Sequence, residues 1–328
     1  MVEYAKEWLS LESQVERLRE HGLRVPDDDR AARLLAGVGY YRLAGYLYPF
    51  RMSEGYVDDE DRNHVRVLSE FRPGTRLDQA AEIIDFDRRL RLLVLDGVER
   101  IEVAVRMRIG YVLGRASAYA YEDPTRFIET FTADGTDIRC PKSSKHVQWL
   151  QRVSARQASS DEKFVEHFRE KYDDRMPIWA LTEILELGHL SVLYRGMSQV
   201  DAEELAIAFG VPTKKLMASW LASLNYVRNV AAHHARLFNR KLQNAPSRPK
   251  IGQIPLLDHL RASEQAKQVY GTYSALAVIA YLLPFIDPDT GWVSHVATLL
   301  RDFPTSDVLT IESLGAPSDW SALALWQE

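Results

Sequence analysis

The sequence predicts an all-α fold on three observations. Apolar residues recur at helical spacing over most of the chain, capping and stop residues bracket those stretches, and no run of alternating β-branched residues is bounded by turn dipeptides. A first helix is predicted from Ser10 to His21, with Ser10 as N-cap and Gly22 as the stop. Asp29–Gly37 follows. Tyr40–Phe50 is too aromatic for a surface loop, and Met52–Thr75 reads as an acidic, turn-rich connection.

Leu77–Leu113 is the longest helical pattern, with Ile84, Leu92, Leu95, Val98, Ile101 and Val105 as its apolar stripe, and Gly97 as a place to kink. Arg88, Arg91, Glu99, Glu102 and Arg106 fall outside that stripe. The period is lost over Ala116–Ser144 and returns over Lys145–Tyr172; Pro177, favoured at a helix start, opens a helix to Leu187. Asp201–Phe209 and Lys214–Leu242 come next, prolines close the pattern between Asn244 and Pro255, and helices are predicted over Leu257–Leu283 and Val293–Phe303. There are no internal repeats.

At 328 residues the chain suits one large domain or two smaller ones. Its composition, 46% hydrophobic and 27% charged, excludes disordered and fibrous classes. The longest apolar stretch, Ala275–Ile286, is interrupted by Tyr281 and Pro284 and falls short of the roughly 18 residues a membrane span needs. The first residues carry no basic region followed by an apolar core, so a cytoplasmic protein without a membrane partner is expected. The single cysteine, Cys140, excludes an internal disulfide framework and reads as a plain thiol.

The net charge of −5 is a poor advertisement for a nucleic-acid partner, but its distribution is uneven. Leu205–Leu257 contains no Asp or Glu and eight bases: Lys214, Lys215, Arg228, Arg236, Arg240, Lys241, Arg248 and Lys250. Such a local excess of one sign attracts polyanions whatever the total charge.

Within this island, Asn225–Arg240 divides sharply on a helical wheel turning about 100° per residue. Val227, Val230, Ala231, His234, Leu237 and Phe238 share one arc; Asn225, Arg228, Asn229, Ala232, His233, Arg236, Asn239 and Arg240 share the other. His234 is therefore expected in the core and His233 among the polar residues. Arg228 and His233 lie about 140° apart around the axis, at the two edges of the polar arc, with Asn229 one turn before His233. These residue types suit cleavage of RNA without a metal or cofactor. The ribose 2′-OH is a built-in nucleophile, a histidine titrating near neutrality can move protons, and an arginine fork can hold the phosphate oxygens. The candidate catalytic set is Arg228, Asn229 and His233, with Arg236, Arg240, Lys241, Lys214 and Lys215 as RNA contacts. By itself an Arg followed by His at this spacing is a weak motif that also fits a solvated helix face.

Four separated stretches carry a resemblance. Tyr40–Phe50, Phe86–Leu93 with Glu99–Glu102, Pro177–Ile184 and Leu224–Arg240, in this order, resemble the Abi-like family of bacterial phage-defence proteins, of the AbiD/AbiF type, from about Tyr4 to Pro246. The resemblance implies a HEPN-like helical bundle over residues 1–250, with residues 251–328 as a helical extension packed on it. It places the Arg-x4-His motif of HEPN ribonucleases on Arg228 and His233, with Asn229 in the polar position after the arginine. Such enzymes pair two motifs, and this chain has one clear copy, which implies a homodimer. A toxin-like role restrained by an RNA or protein antitoxin is also implied.

Other readings compete. A metal hydrolase built on His233 and His234 is disfavoured, since adjacent helical residues diverge by about 100° and the island lacks carboxylates. Tyr40, Tyr41, Tyr46 and Tyr48 with Arg42 have the chemistry to stack bases but fit a core better; Trp179 and Trp220 also read as core, and His167 and His189 as structural. Glu99, Glu102 and Arg106 have the spacing to brace the active helix through an ion pair, and fit a plain solvated network at least as well. A non-catalytic RNA-binding protein on the same scaffold is the main alternative from another class.

Overall fold

The computed structural model describes residues 7–58, 60–135, 143–261 and 271–327. Cys140 lies outside the described residues. The chain divides into two compact units, Met1–Arg89 with Leu299–Glu312 and Leu90–Thr298 with Ser313–Glu328.

In the first unit, α1 (Leu11–Glu20) starts where the Ser10 hydroxyl accepts the Ser13 N–H and stops before Gly22 at φ +88°. Asp27 caps α2 (Asp28–Val38) in the same way, and Gly39 turns the chain into α3 (Tyr40–Leu47). Tyr46 is fully buried and its hydroxyl donates to the buried Asp87 carboxylate at 2.5 Å. Phe86 packs edge-on against Phe303, ring centres 5.2 Å apart.

Met52–Thr75 is not an irregular connection: β1 (Arg51–Val57) and β2 (Asn63–Phe71) pair antiparallel, the only sheet among the described residues. The Asp58 carboxylate accepts the N–H groups of Glu60 and Arg62 and organises the turn, where Asp61 takes φ +59°. The hairpin escaped the sequence pattern because most of its residues are exposed, so neither face needs an apolar row. A bulge interrupts the register between Arg51 and Ser53.

The long helix α4 spans Leu77–Gly114. Val98, Ile101 and Val105 of its expected stripe are buried, whereas Leu92 is half exposed and Glu102, expected outside, is 6% exposed. The second unit continues through the short α5 (Glu129–Thr132), α6 (Lys145–Ala158) and α7 (Lys163–Lys171). Pro177 does open a helix, but α8 (Ile178–Leu181) is a single turn, and a separate helix, α9 (Leu187–Gly196), follows it. Then come α10 (Gln199–Ala208), α11 (Lys214–Ala232), α12 (Thr272–Leu282) and α13 (Trp292–Arg301). The Leu257–Leu283 expectation is met by 3-10 turns at Pro255–Arg261 and by α12; residues 262–270 lie outside the described residues. No helix is long and apolar enough to cross a membrane, among the described residues.

Gly97 serves packing. A Cβ there would sit 2.7 Å from the Ile279 side chain and 2.8 Å from the Trp292 indole, whose Nε1–H donates to the Leu93 carbonyl on the same helix. The missing side chain is what lets that indole lie on the backbone of α4. Gly97→Ala is expected to lower the unfolding free energy in urea by about 1–3 kcal/mol, because two large buried side chains must move. An unchanged midpoint would mean that this contact is loose in solution.

Candidate functional site

The site is built on the end of α11. Thr213 caps its start through the Leu216 N–H, and Met217, Trp220, Leu221, Leu224 and Val227 form a buried face. α9 packs along α11 closely enough that a Cβ on Gly188 would lie 3.4 Å from the Asn225 amide. Arg228 and Asn229 follow on the partly exposed side.

Arg228 is held by acids from outside its own segment. Its Nη2 donates to Glu102 Oε2 of α4 at 3.3 Å, its Nη1 lies 3.9 Å from Glu186 Oε2 at the start of α9, and its Nη1 also donates to Asn229 Oδ1 at 3.1 Å. The other oxygen of Glu102 accepts from Arg106 Nη2 at 2.6 Å. Glu102 thus sits between two guanidinium groups, which makes its burial tolerable. The Arg228 side chain remains 25% exposed.

The helix ends earlier than the expected Leu242. Ala232 is its last residue and His233 its C-cap, with the His233 N–H still donating to the Asn229 carbonyl at 3.0 Å. The Ala235 N–H returns to the Val230 carbonyl and the His234 N–H to that of Ala231, a Schellman stop in which His234, at φ +56°, fills the left-handed position usually given to glycine. Beyond that point the helical wheel has no meaning. His234 is exposed, not in the core as expected, because the turn swings it outward. His233 is also exposed, and the Arg228-to-His233 spacing keeps helical geometry up to the cap: about 140° around the axis and roughly 7.5 Å along it.

After the stop the chain folds back along α11. Leu237 and Phe238 are buried, Arg240 donates from Nε to the Arg236 carbonyl at 2.6 Å and from Nη1 to the Tyr226 hydroxyl at 3.4 Å, and the Ser247 carbonyl accepts from Trp220 Nε1 at 2.8 Å. Arg236 and Arg240 therefore sit on this return segment, not on a continuing helical row, and Lys241 is exposed beside them. Lys214 and Lys215 stand at the opposite end of α11, about 20 Å from Arg228. Lys215 is exposed. Lys214 is buried with its ammonium on the Met197 carbonyl, and burial holds it below the usual lysine range, so it serves packing and leaves the set of RNA contacts.

Glu186 and the helix behind it were missed in the sequence. The available signal was the absence of acid from the island, which required the partners of Arg228 to come from elsewhere. His189, three residues on in α9, has a buried Nδ1 without a hydrogen-bond partner among the described residues; burial pushes its imidazole below the usual histidine range, with Glu186 opposing. Trp179, expected in the core, is half exposed; it lies over Gly110 and Gly114 of α4. Tyr41 and Tyr48 are exposed, whereas Tyr46 is buried. Among the described residues no three His, Cys, Asp or Glu side chains converge as metal ligands.

Fold and site together define a mostly helical protein whose candidate chemistry sits at the capped end of one buried helix. A family model described as Abi-like protein matches residues 33–239, well over half of the chain, and the protein belongs to that family. The match contains Arg228, Asn229 and His233 and ends just before Arg240. No curated protein and no solved structure matches the chain.

Two variants test this geometry. Glu102→Gln is expected to lower the unfolding free energy by about 1–3 kcal/mol, since two partly buried guanidinium groups lose their shared counter-charge; a neutral result would mean that the cluster is solvated. His234→Gly is expected to raise it by about 0.5–1 kcal/mol by relieving the left-handed backbone. A loss would instead assign the turn to the His234 side chain.

Proposed function

We propose that this protein is a metal-independent endoribonuclease of the HEPN type, acting in abortive infection of phage-infected cells or in a toxin–antitoxin pair. The observation that carries the reading is the pairing of an anchored, partly exposed Arg228 with an exposed His233 across the last turns of α11. Membership of the Abi-like family supports the role in phage defence.

In this mechanism an RNA phosphate lies against the end of α11. Arg228 donates to its non-bridging oxygens and offsets the charge that grows as the 2′-OH attacks. His233 moves the proton, as base toward the 2′-OH or as acid toward the leaving 5′-oxygen. Asn229 braces the arginine through its side chain and meets His233 through its backbone carbonyl. Arg236, Arg240 and Lys241 extend the positive surface along the strand. Bond making and breaking balance within the substrate: the 2′-oxygen bonds to phosphorus, the 5′-oxygen leaves with a proton, and the products are a 2′,3′-cyclic phosphate and a 5′-hydroxyl. A single motif per chain favours a homodimer that brings two together, and an RNA or protein antitoxin would restrain it.

One observation favours a second reading. Arg228 is already engaged by Glu102 and sits near Glu186, as a purely structural arginine would be, and this suits a non-catalytic RNA-binding protein on the same scaffold.

Incubation of wild-type protein and His233→Ala with total RNA in EDTA separates the two. The enzyme reading expects fragments ending in cyclic phosphate from wild type and a rate at least about 10²-fold lower from the variant. RNA retained by both proteins, with no fragments from either, would support the binding protein.

A further inference from the structure

A second cleft, in the first unit, has a different chemistry. It measures about 560 Å³, within the range of small-ligand sites, and is shaped by α1, α3, the base of the hairpin and the segment before α1. Its walls combine exposed aromatic rings with cations.

Trp8 is 87% exposed and Tyr41 74%, uncommon for side chains of that size. Neither dangles. The Gln14 amide of α1 donates to the Leu9 carbonyl at 2.9 Å and ties the Trp8 segment to the helix, while Tyr41 stands on α3 with its ring crossed by that of Tyr40 at 89°. Arg17 and His21 lie one turn apart on the same side of α1 as Gln14.

Arg51 enters from the hairpin. It occupies the first register position, opposite Phe71, next to the bulge, and bulges re-aim side chains. Its Cζ lies 5.9 Å over the Phe71 ring, and its Nε is buried with no hydrogen-bond partner among the described residues. Neither Arg17 nor Arg51 is paired with a carboxylate among the described residues. Glu7 is the one acid in the lining among the described residues, against Arg17, His21 and Arg51.

Exposed aromatic rings, beside two guanidinium groups that no carboxylate pairs among the described residues, match one ligand chemistry. A nucleotide presents a base to stack and a phosphate to pair. We propose that this cleft binds a nucleotide of a single-stranded nucleic acid, its base on Trp8 and Tyr41 and its phosphate on Arg17 and Arg51. The inference rests on the RNA reading above for the identity of the natural strand, and deepens it by giving the strand a holding site. Stacking and phosphate pairing make no use of the 2′-OH, so single-stranded DNA enters the same cleft although it lacks the nucleophile for cleavage.

That difference supplies the test. A fluorescein-labelled 12-nucleotide single-stranded DNA is titrated with wild-type protein, Trp8→Ala, Tyr41→Ala and Arg51→Gln, and binding is read by anisotropy at several salt concentrations. Wild type is expected to bind, with each aromatic truncation weakening affinity at least about fivefold. Arg51→Gln is expected to flatten the slope of log affinity against log salt by about 0.7. Trp8 and Tyr41 are exposed, so their loss leaves the core intact, and circular dichroism checks the fold. Equal binding by wild type and all three variants would overturn the proposal while leaving the nuclease reading untouched. No binding by wild type would overturn it too and hand the cleft to a ligand of another class. RNA cleavage, scored separately, decides the nuclease reading by itself.

Discussion

A buried carboxylate organises the candidate site. Glu102 sits in the middle of the longest helix, where a charge without partners would be intolerable, and two guanidinium groups meet it there. Arg106 comes from the next turn of the same helix and costs the fold nothing to place. Arg228 comes from α11 and arrives only if that helix packs on α4 in one register. The buried face of α11 sets its rotation, and the ion pair ties its Arg228 end, next to Asn229 and His233, to α4.

Under the proposed nuclease reading the same contact sets a tension. An arginine that is to bind phosphate must be positioned, and carboxylates position it; they also offset its charge. Partial exposure bears on this, since Glu102 meets the guanidinium through Nη2 while the side chain remains 25% exposed. His233 has no such tether. Among the described residues it is held through its backbone, as the cap of a helix whose stop follows immediately, and its side chain is exposed. A left-handed histidine at the next position is the strained element that makes so abrupt a stop.

The elements legible in the sequence were those whose pattern is local. Ser10 and Gly22 bracket α1 because a hydroxyl cap and a left-handed stop are properties of a few neighbouring residues. α4 was legible because a two-sided pattern repeated over many turns leaves little choice. The hairpin was not, since its strands bury almost nothing and so carry no alternation. α9 was lost for the opposite reason: Leu187–Gly196 is so largely buried that no polar face marks its period. The end of α11 was misjudged because Leu237 and Phe238 stay apolar at helical spacing, although they are buried by a chain that has already turned back.

The sequence by itself determined the helical class, the five-residue spacing of Arg228 and His233, and the segregation of bases from acids that makes Leu205–Leu257 distinctive. These follow from short-range periodicity and composition, which need no knowledge of contacts. Only the tertiary structure decided which charges meet. It brought Glu102 and Glu186 to Arg228 across long stretches of chain, buried Lys214, turned His234 out, and set Trp8 beside Tyr41 and Arg51. Each of those outcomes depends on which helix faces pack together, and burial, which makes a charge need a partner, exists only once they have.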